Sequence, residues 1–149
     1  MSIENSTHIK YITAEMTMAV RFSETDAMGV VWHGNYLKFF EDAREFFGTV
    51  YQLEYLDFYR NGYFTPIVRS EIEHKAPIHY GEKVKIIIKF HFNNAAKLIF
   101  TYEVFNATTG QLAAEGKTVQ VFLEKENRTL ELIKPSFFME WENKQSWRV

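Results

Sequence analysis

The chain of 149 residues has no cysteine. That removes disulfides, thiolate zinc sites and a cysteine nucleophile, and it fits a reducing compartment. There is no excess of positive charge either. The formal net charge is −2, so no global basic field attracts nucleic acid or an anionic membrane. Lysine-bearing runs such as Lys83–Lys89 are the polar face of one strand rather than a groove. No stretch approaches the ~18 consecutive apolar residues of a membrane span. The first twenty residues lack a basic start followed by an apolar core, so no signal peptide is expected and the expected location is cytoplasmic. Proline and glycine are scarce, at 3 and 7, and no repeat, linker or low-complexity tract interrupts the chain. One domain spanning 1–149 is the expectation.

What the sequence has in quantity is aromatic side chains: 14 Phe, 8 Tyr and 3 Trp. A chain of this length buries roughly 68–70% of its unfolded surface, enough for a core without staples. The patterning shows where that core forms. Residues 1–12 are polar and predict a loose start. From Ala14 to Phe22 every second residue is apolar or small, the period of a half-buried strand. Tyr36, Phe39, Phe40, Ala43, Phe46, Phe47, Val50 and Tyr51 then follow helical spacing. This predicts an amphipathic helix over 35–51 with Asn35 as its cap. A short helix over 54–61, closed by Gly62, comes next. Four alternating runs begin at Ile67, Lys83, Leu98 and Leu112, separated after Ile78 by turns at Tyr80–Lys83, Asn93–Ala96 and Asn106–Gln111. They predict an antiparallel meander. Pro135 is placed to open a short C-terminal helix holding Phe137, Phe138 and Trp141. A sheet wrapped around the one long apolar helix is the economical packing, giving an α+β fold.

The stretch Arg21–Phe47 carries the chemistry. Asp26 lies in the loop between strand and helix. A loop aspartate often does no more than bond its own backbone. Here Gly29 allows close approach or a left-handed backbone. Val30, Val31 and Trp32 set bulky apolar groups beside the acid. The helix start offers unpaired N–H groups and the positive end of its dipole. Free N–H groups near His33 and Gly34 can hold a developing oxyanion, and a carboxylate beside them can attack a carbonyl or activate water. This points to acyl transfer. His33 and Tyr36 have packing roles open to them as well. Glu41 falls about 140° from Tyr36 on the helix, off the core face. The five histidines show no metal spacing, and nucleophile-elbow, P-loop and dinucleotide motifs are absent.

The run "RFSETDAMGVVWHGNYLKFFEDAR" resembles the signature of the 4-hydroxybenzoyl-CoA thioesterase-like acyl-CoA thioesterases, and especially the branch associated with the Tol-Pal system. Thr25, Asp26, Gly29, Val31, Trp32, His33, Tyr36, Glu41, Ala43 and Arg44 carry the match. "KAPIHYGEKVKI" and "AAEGKTVQVFLE" extend it, so that it covers Ala14 to Glu124. His33 resembles the Tol-Pal-associated branch, whereas Trp32 leans to another. The resemblance implies a hotdog fold, a five-stranded antiparallel sheet wrapped around a long central helix. It implies a homodimer with sheets joined edge to edge, often paired into a homotetramer, with active sites at the subunit interface. The implied reaction is hydrolysis of an acyl-CoA or acyl-carrier-protein thioester, needing no metal and no cofactor beyond the CoA carried by the substrate. Asp26 is the implied nucleophile or general base. The backbone at His33 is the implied oxyanion site, with the His33 side chain and Tyr36 positioning substrate. Gly29, Val31, Trp32 and Gly34 would line the substrate. Lys75 and Lys97, with Arg69 and Arg128, are the cations available to the CoA phosphates. Some relatives are dehydratases with an H-F-P motif, but this chain has His33-Gly34-Asn35 instead. A non-catalytic acyl-binding or assembly module is the alternative from another class.

Overall fold

The computed structural model describes residues 10–149. Of the loose start expected over 1–12, residues 1–9 lie outside the described residues. The rest is corrected: β1 already begins at Tyr11 (Tyr11–Ala19). Its even positions face inward as the alternation predicts, with Ile12 buried. The strand stops before Phe22, whose ring is exposed, because the chain turns there into a short 3-10 segment, Phe22–Glu24.

Helix α1 spans Asn35–Tyr51, as its periodicity predicts. Tyr36, Phe39, Phe40, Ala43, Phe47 and Gly48 form the buried stripe. Phe46 and Val50 stay exposed at the edge of that stripe. The helix entry differs in detail. Gly34 occupies the cap position, and Asn35 instead donates its side-chain amide to the Glu24 carbonyl at 2.7 Å. A second helix, α2 (Tyr55–Arg60), precedes β2 (Tyr63–Phe64) and β3 (Ile67–His74). The remaining strands are β4 (Lys83–His91), β5 (Lys97–Asn106), β6 (Leu112–Val121) and β7 (Leu123–Glu124). Strands β2 and β7 pair as a small ribbon. Helix α3, Ser136–Asn143, closes the chain.

The five long strands form one antiparallel sheet in the order β1-β4-β5-β6-β3. Only β4, β5 and β6 form the expected meander. The strand at Ile67 does not pair with β4; it crosses to the far edge and pairs with β6. The link between β3 and β4 is too long for a tight hairpin, and Pro77 lies within it. Three strand spacings are about 14 Å, easily crossed by eight extended residues. The link's backbone is occupied on the way: Lys75 N–H donates to the Ala113 carbonyl at 2.8 Å, and Ile78 accepts from Val31 N–H at 2.8 Å. The first bond holds the crossover on β6 and the second ties it to the loop that precedes α1.

The inner face of the sheet packs on α1 through Val84, Ile86, Ile88, Phe90, Leu98, Phe100, Tyr102 and Val104, all buried. Phe40 stacks on Tyr102 at 4.1 Å and 10° between planes. It lies directly over Gly116, where a side chain would overlap its ring. The segment after Glu124 completes the core. Phe138 and Trp141 pack on Phe90, and Trp141 donates its indole N–H to the Tyr51 carbonyl at 2.8 Å. A buried ion pair, Lys134 to both oxygens of Glu142 at 3.0 Å, holds this segment. The β3 edge, by contrast, is open along its length.

Candidate active site

The residues from Thr25 to Val31 fold into a miniature hairpin. Thr25 bridges Val31, and Asp26 N–H donates to the Val30 carbonyl at 2.8 Å. Gly29 closes the tip with φ +75°, a conformation other residues adopt only with strain. The hairpin is stitched to the crossover by the Val30–His79 bridge and by Tyr80 N–H to the Gly29 carbonyl at 3.0 Å. Asp26 is thus mounted on a loop fixed from both sides, immediately before the helix.

One oxygen of Asp26, Oδ1, accepts the Met28 N–H at 2.8 Å, the local backbone bond expected of a loop aspartate. The other has no donor among the described residues, and the carboxyl is partly open to solvent. The helix entry supplies donors. Asn35 N–H bonds the Trp32 carbonyl at 2.9 Å and Tyr36 N–H bonds the His33 carbonyl at 3.3 Å. The N–H groups of His33 and Gly34 find no acceptor among the described residues. They stand at the positive end of a 17-residue helix.

Trp32 and His33 are exposed, their rings in tilted contact at 5.0 Å between centroids. Gly34 makes room for the indole: a Cβ at this position would overlap the six-membered ring of Trp32. Val31 is buried beneath. Tyr36 is 3% exposed, its ring edge-on to Phe39 at 5.6 Å and to His74 at 4.8 Å. Burial pushes its phenol pKa up, so it remains a neutral hydroxyl. The contact with His74 ties the helix start to the end of the open β3 edge.

The cations are scattered. Lys75 lies just past that end of β3 and pairs with Glu73 at 3.2 Å. Lys97 opens β5, one strand length from the Asp26 end of the sheet, about 30 Å. Arg69 pairs with Glu71 on β3, and Arg128 lies over the Phe64 ring. Within one chain, then, Asp26, Gly29, Val31, Trp32, His33, Gly34 and Tyr36 are brought together, with Lys75 adjacent and Lys97 apart.

Two features went unread in the sequence. Glu24 is 3% exposed; it accepts Arg21 N–H at 2.7 Å and faces Lys38 at 3.8 Å, and its carbonyl also takes the Trp32 N–H. It is the brace of the helix entry, and an acid just past an alternating strand was its only signal. The second is a cavity of about 800 Å³ between the second half of α1, α2, β2 and the start of β3. Its floor is Phe47, Phe58, Leu98 and Phe100, and Ile67 stands at its mouth. Glu41 lines this cavity and is not beside Asp26. Among the described residues there is no cluster of acidic or histidine side chains suited to a metal, and no helix is long and apolar enough to cross a membrane.

The model of the thioesterase-like superfamily matches residues 20–141. YneP of Bacillus subtilis, provisionally named an acyl-CoA thioesterase, is 32% identical over 108 residues, covering 72% of this chain and 78% of that one. A 1,4-dihydroxy-2-naphthoyl-CoA hydrolase of Thermosynechococcus vestitus is 27% identical over 110 residues, 73% of this chain and 75% of the relative. Among solved structures, the DHNA-CoA thioesterase of Staphylococcus aureus superposes with a TM-score of 0.77 at 29% identity, covering 90% of this chain and 89% of its own.

Proposed function

The chain belongs to the thioesterase-like superfamily, with its hotdog fold, and from that premise we propose how it hydrolyses an acyl-CoA thioester to free acid and thiol. The observation that carries the reading is the pairing of a fixed carboxylate, Asp26, with two unclaimed N–H groups at His33 and Gly34. The thioester carbonyl lies against those N–H groups, which stabilise negative charge on its oxygen as the carbonyl carbon becomes tetrahedral. Asp26 supplies the attack in one of two ways: it takes a proton from a water that adds to the carbonyl carbon, or its own oxygen adds to give a mixed anhydride that water then cleaves to the free acid. In both the C–S bond breaks as the tetrahedral intermediate collapses, and the leaving thiolate takes up a proton that the water gives up. The His33 side chain and Tyr36 position the substrate, and Gly29, Val31, Trp32 and Gly34 shape the approach. CoA enters as part of the substrate, and these steps call on no other cofactor.

The working unit of this proposal is a dimer. The open β3 edge offers unpaired backbone groups to a second copy. Antiparallel self-pairing over its full length sets His74 opposite the partner's β3 start. Because Tyr36 touches His74, the helix start of one copy then meets the cavity mouth at Ile67 of the other. The acyl group enters the partner's cavity, and Lys97 approaches the site only in this arrangement. Phe46 and Val50, one turn apart on the exposed side of α1, give two such dimers a surface on which to pair into a tetramer. An acyl-carrier-protein thioester would present the same bond.

Mixed dimers test this reading. Asp26→Asn and a cavity-blocking Ile67→Trp are each expected to be inactive in thiol release from acyl-CoA. Co-refolded in equal amounts they regain about a quarter of wild-type activity, because one site in each hybrid dimer is intact. A mixture that stays inactive refutes the shared site. An active Asp26→Asn refutes the assigned carboxylate.

A further inference from the structure

The N–H groups at the start of α1 must be held in place and yet left free for substrate. We propose that Asn35 is a positioning residue for hydrolysis: its side chain and the Trp32 N–H close on the single carbonyl oxygen of Glu24, and this clasp sets the His33 and Gly34 N–H groups at their distance from Asp26; this rests on the hydrolase reading above.

A helix start is usually fixed by its cap. Serine, aspartate or asparagine at that position turns a side-chain oxygen onto an N–H of the first turn. Such a cap anchors the helix and claims a donor at the same time. Here the cap is Gly34, which has no side chain to offer. The space beside it is filled by the Trp32 indole, which a Cβ at Gly34 would overlap. The anchor is moved one residue on, and it points the other way. Asn35 donates its side-chain amide back to the Glu24 carbonyl at 2.7 Å. A carbonyl oxygen only accepts, so the atom facing it is the amide nitrogen. This bond fixes the helix entry and consumes none of its backbone donors.

The same oxygen takes the Trp32 N–H at 2.9 Å, so both of its lone pairs are used. Trp32 and Asn35 are the ends of one tight turn, closed by Asn35 N–H to the Trp32 carbonyl at 2.9 Å. His33 and Gly34 are the two residues between them. Both ends of the turn that carries the open donors are therefore pinned on one atom. That atom is itself fixed. Glu24 is buried, its N–H bonds the Arg21 carbonyl at 2.9 Å, and its Oε1 takes the Arg21 N–H at 2.7 Å. Thr25 is held as well: its Oγ1 and its N–H both donate to the Phe22 carbonyl, at 2.8 and 3.1 Å. Asp26 follows directly. The carboxylate and the N–H pair are thus two branches of one locked turn, and they join at Glu24.

What the clasp controls follows from when those N–H groups act. Charge on the thioester oxygen grows as the carbon becomes tetrahedral, so donors aimed at it act chiefly in the transition state. A misplacement of about 1 Å at such a site costs about 10²-fold. Removing the Asn35 bond frees one end of the turn and leaves the other on Trp32. The expected loss is about 10- to 100-fold in kcat, with KM kept within about threefold.

Asn35→Leu tests this, because it keeps a side chain of similar size and removes the donor. Thiol release from acyl-CoA gives kcat and KM. A second readout needs no turnover: the infrared stretch of an isotope-labelled thioester carbonyl bound to Asp26→Asn. That stretch is expected to move to lower frequency on binding, and Asn35→Leu added to Asp26→Asn should abolish at least about half of the shift. Ala43→Gly is the control for a merely structural role. It weakens the interior of the same helix without touching the turn, and should leave kcat within about threefold and the shift intact. If the leucine variant does not fold, Asn35→Ser, which a helix start accepts and whose hydroxyl falls short of Glu24, reads the same two quantities. Wild-type kcat or a full carbonyl shift in the Asn35 variant, or an equal loss in Ala43→Gly, overturns the proposal. If wild type releases no thiol while the carbonyl shift is present and depends on Asn35, the hydrolase reading falls and the clasp stands. A carbonyl unshifted in Asp26→Asn overturns both.

Discussion

Replacing Gly116 by alanine probes the packing between α1 and the sheet. Gly116 sits on β6 between Tyr102 of β5 and Ile72 of β3. A Cβ there would overlap Phe40 Cζ and Cε2 and lie 3.0 Å from the Glu71 carbonyl oxygen. The shortfall against a normal carbon–carbon contact of 3.5–4.0 Å is about 1 Å. Neither neighbour can step aside: Phe40 is fully buried and stacked on Tyr102, and the Glu71 oxygen is backbone. Overpacking of this kind costs about 1–3 kcal/mol. Relief of glycine's conformational entropy returns about 0.5–1 kcal/mol. At mid-range values a net loss of about 1.2 kcal/mol remains, which at about 3 °C per kcal/mol lowers Tm by roughly 4 °C. Thermal unfolding followed by circular dichroism measures it. The added Phe40→Leu change should recover part of the loss, because the shorter side chain vacates the space. A Gly116→Ala protein as stable as wild type, or a double variant no better than the sum of its parts, would refute the packing argument.

Other outcomes follow from the same structure. Lys134→Met leaves the Glu142 carboxylate buried without its partner and should cost about 3–5 kcal/mol near neutral pH, whereas Lys134→Met with Glu142→Leu should be close to neutral; denaturant unfolding separates the two. Burial raises the Glu142 pKa despite the opposing pull of Lys134, so the folded state holds that proton more tightly than the unfolded chain. The stability from this group is therefore full below the ordinary glutamate range and falls as pH rises through the raised value; Glu142→Gln should remove that slope from a pH series of unfolding curves. His91 runs the other way. Burial first, then Lys89 and Lys117, depress its pKa, so its contribution is present above about 6.5 and lost as pH falls toward the depressed value. His91→Gln should flatten stability over that acidic window. Sedimentation should find assemblies in multiples of the 17.6 kDa chain, and Val68→Asp with Ile72→Asp on β3 should shift them to monomer and abolish thiol release.

Much of this was legible in the residues. Helix α1 carries a broad apolar stripe with charge opposite it, and such a pattern has one stable solution, so its bounds follow from periodicity. The alternation of β4, β5 and β6 sets their inward faces for the same reason. Strand order was less accessible. Whether β3 pairs with β4 or crosses to β6 depends on a link whose bonds to Ala113 and Val31 are made between distant segments. The start of β1 was missed because Tyr11 and Thr13 are outward-facing residues of a strand whose inward face begins with a single Ile12. At the site, the motif brought Asp26, Gly29, His33 and Gly34 together in sequence. The brace by Glu24 rests on bonds to Lys38 and Trp32 from other parts of the loop and helix, and an acid just past an alternating strand is all that marks it. The cavity was illegible for a related reason: Phe47, Phe58 and Phe100 look like any core residues until three separate elements surround the same space. Asn35 reads as a cap in the sequence because the Glu24 carbonyl that takes its amide lies 11 residues back.

The central claim is that Asp26, beside the open N–H groups of the α1 entry, carries thioester hydrolysis. The most direct measurement is free-thiol release from a panel of short, long and aromatic acyl-CoAs by wild type and Asp26→Asn in parallel, with both proteins shown to melt alike. The account predicts turnover of at least one substrate by wild type and a loss of about 10²-fold or more in the variant. Full activity in Asp26→Asn, or a wild type that binds acyl-CoA and releases no thiol, would contradict it.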